Sequence, residues 1–164
     1  MQVTVSLKGL DGVLDTLRSL PPSIVSARGG PVRAALRKGA VVIHKQELAN
    51  LAAVTAHASD TAKRQSTGFL AKNVVVTRGK EPRGTKGERY LVRVRRKRYP
   101  GRAKVSTLQV ANLLEYGSSK QPAEPWIRPA FESRAREAID TIERDLLARI
   151  DRIVTKLSKQ NAGK

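Results

Sequence analysis

Residues 113–131 read LLEYGSSKQPAEPWIRPAF, and the reading of this stretch decides the fold. Gly117 can take the left-handed conformation that closes a helix after Glu115 and Tyr116. Pro122 and Pro125 hold the following chain extended, and each restricts the residue before it. Pro129 suits the first turn of a new helix, where its missing N–H costs nothing. Trp126 and Phe131 are two of only six aromatic residues, so both are expected to anchor the segment against a core. The stretch reads as a rigid elbow that sets the angle of the helix after it. Lys120 and Gln121 form an exposed edge open to contact.

Beyond the elbow, residues 129–158 form the most regular pattern in the chain. Ala135, Ile139, Ile142, Leu146, Ile150, Ile153 and Leu157 recur at steps of three and four, which predicts one long amphipathic helix. Glu132/Arg136, Asp140/Arg144 and Asp145/Arg149 stand four apart in the favourable order for ion pairs on its surface. Before the elbow, residues 107–115 suggest a short helix with Val110, Leu113 and Leu114 turned inward. A second long helix is expected over residues 32–54, where Leu36, Ala40, Ile43, Glu47/Leu48 and Leu51 fall near helical spacing.

Two strands are expected between these helices. Residues 73–77 contain three consecutive valines, and residues 89–96 alternate Tyr90, Val92 and Val94 with Arg93 and Arg95. Paired antiparallel, they give a hairpin with one apolar and one basic face, joined by a turn over residues 79–87. At the start of the chain, Val3, Val5 and Leu7 alternate as in a half-buried strand. A short helix carrying Leu10, Leu14 and Leu17 follows and ends at Pro21-Pro22. Residues 58–66 are polar and read as an exposed, mobile loop. The expected fold is α+β: a small antiparallel β-sheet packed against two long α-helices, with a projecting basic β-hairpin. It forms a single domain over residues 1–158, and residues 159–164 fray.

Charge is the dominant compositional feature, with 32 Lys and Arg against 14 Asp and Glu, a net of +18. Cysteine is absent, which excludes disulfides, thiolate metal sites and a cysteine nucleophile. No apolar run reaches the length of about 18 residues that a spanning helix requires, and residues 1–9 lack a secretory pattern; a soluble, unprocessed chain without a membrane partner is expected.

Catalytic constellations do not assemble from these residues. His44 and His57 are the two histidines, 13 apart, with neither cysteine nor an acid cluster to complete a metal site; half-buried or surface histidine is the better reading. Neither stands beside a Gly-flanked serine as a triad requires. The glycines of residues 79–87 lack the Walker spacing and do not open onto a helix. An enzyme and a cofactor are therefore not expected.

The basic character is concentrated. Residues 78–104 hold 12 Lys and Arg against two Glu, a net of +10 in 27 residues. Arg89, Arg93, Arg95, Arg96, Lys97, Arg98 and Arg102 are the candidate contact residues. Such a face can neutralise nucleic-acid phosphates without reading sequence, meet carboxylates on a neighbouring protein, or remain a solvated tip. The thin aromatic content does not support single-strand stacking.

The elbow also resembles a known family. Glu115, Tyr116 and Gly117, a short polar spacer, Gln121-Pro122, then Pro125, Trp126, Ile127, Arg128, Pro129 and Ala130 resemble the signature of the neck (tail-completion) proteins of long-tailed phages, the family that includes the lambda minor tail protein Z group. Thr67, Gly68, Phe69 and Leu70 are similar to that family's Thr-Gly-x-Leu before its first core strand, and the resemblance spans about residues 7–157. It implies a structural virion protein at the head–tail junction, assembled in the host cytoplasm. It further implies a homo-oligomeric ring or a ring-binding subunit that contacts a head-closure, tail-terminator or tail-tube ring, with a DNA contact open to it. The rival expectation, from charge alone, is a free sequence-independent nucleic-acid-binding protein acting through the basic hairpin.

Overall fold

The computed structural model describes residues 30–57, 68–80 and 88–162. The expected first strand and helix, the polar segment 58–66 and most of the turn over 79–87 lie outside the described residues. The elements in chain order are α1 (Gly30–His57), α2 (Phe69–Asn73), β1 (Val74–Arg78), β2 (Tyr90–Val94), β3 (Arg98–Tyr99), β4 (Arg102–Ser106), α3 (Thr107–Tyr116) and α4 (Ile127–Ala162). The fold is α+β, with a small antiparallel sheet packed against two long helices.

The two long helices pack antiparallel. Ala35 is buried with Leu146 and Ile150, Lys38 pairs with Asp145, and Gln46 accepts a bond from Arg134 Nε at 2.9 Å. Position numbers thus rise along α1 as they fall along α4. The helices approach closely at Gly39, which is buried. A Cβ there would lie 2.5 Å from Ile142 Cγ1 and 2.9 Å from the Ala138 carbonyl oxygen. The inward stripe of α4 is as expected at Leu146 and Ile150, while Ala130 and Ala138 join it as small residues that permit close approach. The buried stripe of α1 is shifted by one residue in its first half, from Leu36 and Ala40 to Ala35 and Gly39, and is as expected at Glu47 and Leu51. Ala35, Gly39, Glu47 and Leu51 are buried, whereas Leu36, Ala40 and Ile43 are half-buried. At 28 and 36 residues the helices are about 42 and 54 Å long at 1.5 Å per residue, so α4 extends beyond its partner.

Asp145 sits between Arg149, at 2.6 Å, and Lys38. Burial acts to raise its pKa, but the bonds from Arg149 and Lys38 outweigh that and lower it. The other two expected pairs are rearranged. Arg136 bonds Asp140 at 3.1 Å rather than Glu132, and Arg144 Nε donates to the Asp140 backbone carbonyl.

β1 and β2 pair with Val74 opposite Val94, Val76 opposite Val92 and Arg78 opposite Tyr90. Val74, Val92 and Val94 pack with Leu51, Leu70, Ala111 and Trp126, whereas Arg93, on the opposite face, is exposed. The alternation in the sequence therefore puts Val74, Val92 and Val94 on the buried side, while the face that carries exposed Arg93 also holds half-buried Val75, Thr77 and Leu91. The strands are not one sheet: β3 and β4 form a separate two-stranded ladder with an irregular register at Arg98/Tyr99. Asn73, expected to begin β1, instead ends α2, where its side-chain amide donates to the Phe69 carbonyl at 2.8 Å.

Candidate functional site

The elbow is built around a buried carboxylate. Glu115, in the last turn of α3, has a side chain only 3% exposed. Its Oε2 accepts the backbone N–H groups of Trp126 and Ile127, both at 2.8 Å. Its Oε1 accepts the Arg128 backbone N–H at 3.2 Å and the Arg128 Nε at 3.1 Å. The first N–H groups of a helix have no partner within it and carry the positive end of its dipole. Glu115 supplies both an acceptor and a negative charge to the start of α4 from another helix. Burial acts to raise its pKa, but the three backbone bonds and the Arg128 side chain outweigh that and hold the carboxyl below the usual range.

The neighbouring residues complete the joint. Trp126 is fully buried among Leu51, Leu70, Val74 and Ala111, and its carbonyl accepts from Asn50 Nδ2 of α1 at 3.1 Å. The Arg128 guanidinium, already bonded to Glu115, lies 5.6 Å from the centre of the exposed Tyr116 ring. Pro129 lies in the first turn of α4, which begins at Ile127, two residues before the expected start.

Gly117 closes α3 by donating its N–H to the Leu113 carbonyl at 2.9 Å. Its φ is positive at 73°, as expected, but its ψ of −169° is extended rather than left-handed helical. That region is essentially open to glycine alone, and a Cβ would meet Ala123 N at 2.7 Å. The chain then doubles back: Ser118 and Gln121 form a bridge, and Glu124 N–H bonds the Leu114 carbonyl at 2.8 Å. Pro122, Pro125 and Lys120 are exposed on the outside of this turn, with Gln121 half-buried. Two expectations are corrected here. Phe131 is 44% exposed, one turn beyond Trp126 on the outer side of α4, and Leu113 is 37% exposed on the outer side of α3. Of the two rings expected to anchor the elbow, Trp126 alone does so.

A second buried carboxylate, which the sequence pattern does not distinguish from a stripe position, faces this joint. Glu47 of α1 is 4% exposed, and burial together with the nearby charge of Glu115 raises its pKa to about 7. The signal in the sequence is a carboxylate on the apolar stripe between Ile43 and Leu51. His44, on the same helix, is half-buried with Nε2 2.9 Å from the Val74 carbonyl oxygen, so it ties α1 to β1.

The other half of the resemblance joins the same core. Gly68, with φ 64°, precedes α2, and Leu70 is buried against Trp126. The chain matches no family model, no curated protein and no solved structure.

The basic residues lie within β2, just before it and in the segment that leads from it into β3. Arg89, Arg93, Arg95, Arg96, Lys97 and Arg98 are all exposed, and none forms an ion pair with a described residue. Arg102 opens β4, opposite Tyr99. The backbone beneath this run is fixed by hydrogen bonds. Arg95 N–H bonds the Asn73 carbonyl at 2.8 Å, and Thr107, fully buried at the start of α3, accepts from Lys97 N–H at 2.9 Å through its hydroxyl. That hydroxyl donates to the Arg95 carbonyl, and Thr107 N–H bonds the Lys97 carbonyl at 2.8 Å.

Arg78 has a different role. With Arg33 of α1 it clasps Glu88, at 2.7 Å from Arg78 Nε and 2.8 Å from Arg33 Nη2; the hydrogen bonds from Arg33 and then Arg78 hold the Glu88 carboxyl below the usual range.

Proposed function

We propose that this protein is a structural subunit of the neck of a long-tailed phage, which completes the tail or joins it to the DNA-filled head. The observation that carries this reading is the motif of residues 115–130. Its resemblance to the tail-completion signature falls on residues that each have a part in one joint. Glu115 caps α4, Gly117 makes the turn that only glycine allows, Trp126 anchors it, and Arg128 bridges Glu115 and Tyr116. A joint of this kind suits an assembly protein. It fixes the direction of a helix about 54 Å long by hydrogen bonds and packing rather than by a flexible linker.

In this reading the subunits act as a homo-oligomeric ring in the virion, against a head-closure, tail-terminator or tail-tube ring. They perform no catalytic step. Interrupting the gene in the phage or prophage that carries it, and imaging the lysate by electron microscopy, tests the proposal. Separate DNA-filled heads and tails, or tails of abnormal length, are the expected result. Intact infectious particles would overturn it.

A further inference from the structure

The basic margin can be assigned a partner of definite chemistry. We infer that Arg89, Arg93, Arg95, Arg96, Lys97 and Arg98 form a sequence-independent binding strip for the phosphate backbone of double-stranded DNA. Placing that duplex in the head–tail channel rests on the neck reading above; the binding itself does not.

Five observations favour a duplex over the other partners that a cationic surface could meet. The six cations lie within ten consecutive residues that contain no acid. None of them forms an ion pair with a described residue, unlike Arg33 and Arg78, which are paired with Glu88. The backbone at Arg95 and Lys97 is held by Asn73 and Thr107, so binding there orders side chains rather than main chain.

The strip also lacks the features of the alternatives. A protein interface centres on buried apolar or aromatic anchors within a polar rim. The exposed large apolar side chains among the described residues are Leu108, Leu113, Tyr116, Phe131, Leu147 and Val154, none of them within residues 89–98. Single-strand binding requires aromatic faces free to stack on bases. Tyr90 and Tyr99 are both half-buried, and Tyr99 packs against Phe69 with ring centres 5.0 Å apart. What remains is a cluster of exposed guanidinium and ammonium groups within ten residues of chain, chemically suited to phosphate oxygens.

The test is the salt dependence of binding by the full-length chain to a short mixed-sequence duplex, followed by fluorescence anisotropy. If all six cations neutralise phosphates, the slope of log K against log salt is about −5, and affinity falls roughly 10³-fold between 50 and 200 mM salt. Arg95, Arg96 and Arg98 changed together to serine should bring the slope to about −3 and the fall to roughly 40-fold. The same three changed to lysine should keep the steep slope. Arg136, Arg144 and Arg152 of α4, changed to serine, remove equal charge elsewhere and should leave the slope unchanged.

Equal losses from the two serine triples would show general attraction to a basic protein and overturn the assignment. So would tighter binding to a single strand, or equal binding to polyglutamate at each salt concentration, which would indicate a stacking surface and an acidic protein partner respectively. Circular dichroism of each variant separates lost binding from lost fold. DNA binding by the strip in a protein whose loss leaves particles intact would refute the neck reading and leave this one standing.

Discussion

Replacing Glu115 with glutamine removes one charge from the elbow and leaves its shape almost unchanged. The carboxylate accepts four bonds, two at each oxygen. An amide offers one oxygen and turns its NH2 towards two of the donors, so at least two of the four lose their acceptor. A buried donor left unsatisfied costs about 1–3 kcal/mol, and bonds to a charged group lie towards the upper end. Loss of the interaction with the dipole of α4 adds some tenths of a kcal/mol or more. Relief of repulsion with Glu47 offsets part of this. The expected net loss for Glu115→Gln is about 3 kcal/mol, a large share of the roughly 5–15 kcal/mol that holds a domain folded.

Urea unfolding followed by circular dichroism at pH 7.5 measures it as a shift of midpoint. The dependence on pH and on Glu47 makes the reasoning more exposed to refutation. Because the folded pKa of Glu115 is depressed, its contribution is complete above the ordinary carboxylate range and is lost as pH falls through the folded value. The deficit of the variant should therefore shrink in acid. At pH 8, where Glu47 is ionised, Glu115→Gln should cost more in a Glu47→Gln background, since no repulsion is then relieved. A loss below about 0.5 kcal/mol, the size of an ordinary surface substitution, would refute the capping argument. An unchanged cost in the double variant would refute the coupling.

Glu47 alone gives the opposite pH sign. Its folded pKa is raised to about 7, so the stability it contributes is present below its unfolded value and is lost as pH rises through 7. The midpoint of thermal unfolding should be higher at pH 5.5 than at pH 8, and Glu47→Gln should flatten that difference; an identical profile in the variant would count against it. Gly39→Ala gains up to about 1 kcal/mol of helix propensity but forces Ile142 and the Ala138 backbone apart, so a net loss of about 1–2 kcal/mol is expected in urea. A stabilised variant would mean that the two helices can separate without cost. Gly117→Ala forces a side chain onto a φ of 73° and against Ala123 N, and should lower the midpoint by about 2 kcal/mol or more; a neutral result would show that the turn can rearrange.

The sequence by itself determined the elements whose signal is local. The period of α4, the alternation of β2, the break at Gly117 and the clustering of the arginines are properties of neighbouring residues, and backbone geometry turns each into structure without reference to the rest of the chain. Only the tertiary structure decided which members of those patterns are buried. Phe131 and Trp126 are both aromatic, yet Trp126 is enclosed by Leu51, Leu70, Val74 and Ala111, while the turn of α4 carries Phe131 to solvent.

The two carboxylates show the same limit more sharply. Glu115 was legible as part of a motif but not as the cap of a helix that begins 12 residues later, because a cap of this kind is a meeting of distant segments. Glu47 sat in an apolar stripe, and its raised pKa follows from burial and from facing Glu115. Periodicity records which way a side chain points. What it meets there depends on elements far away in the chain, and that fixes whether it is buried, paired or charged.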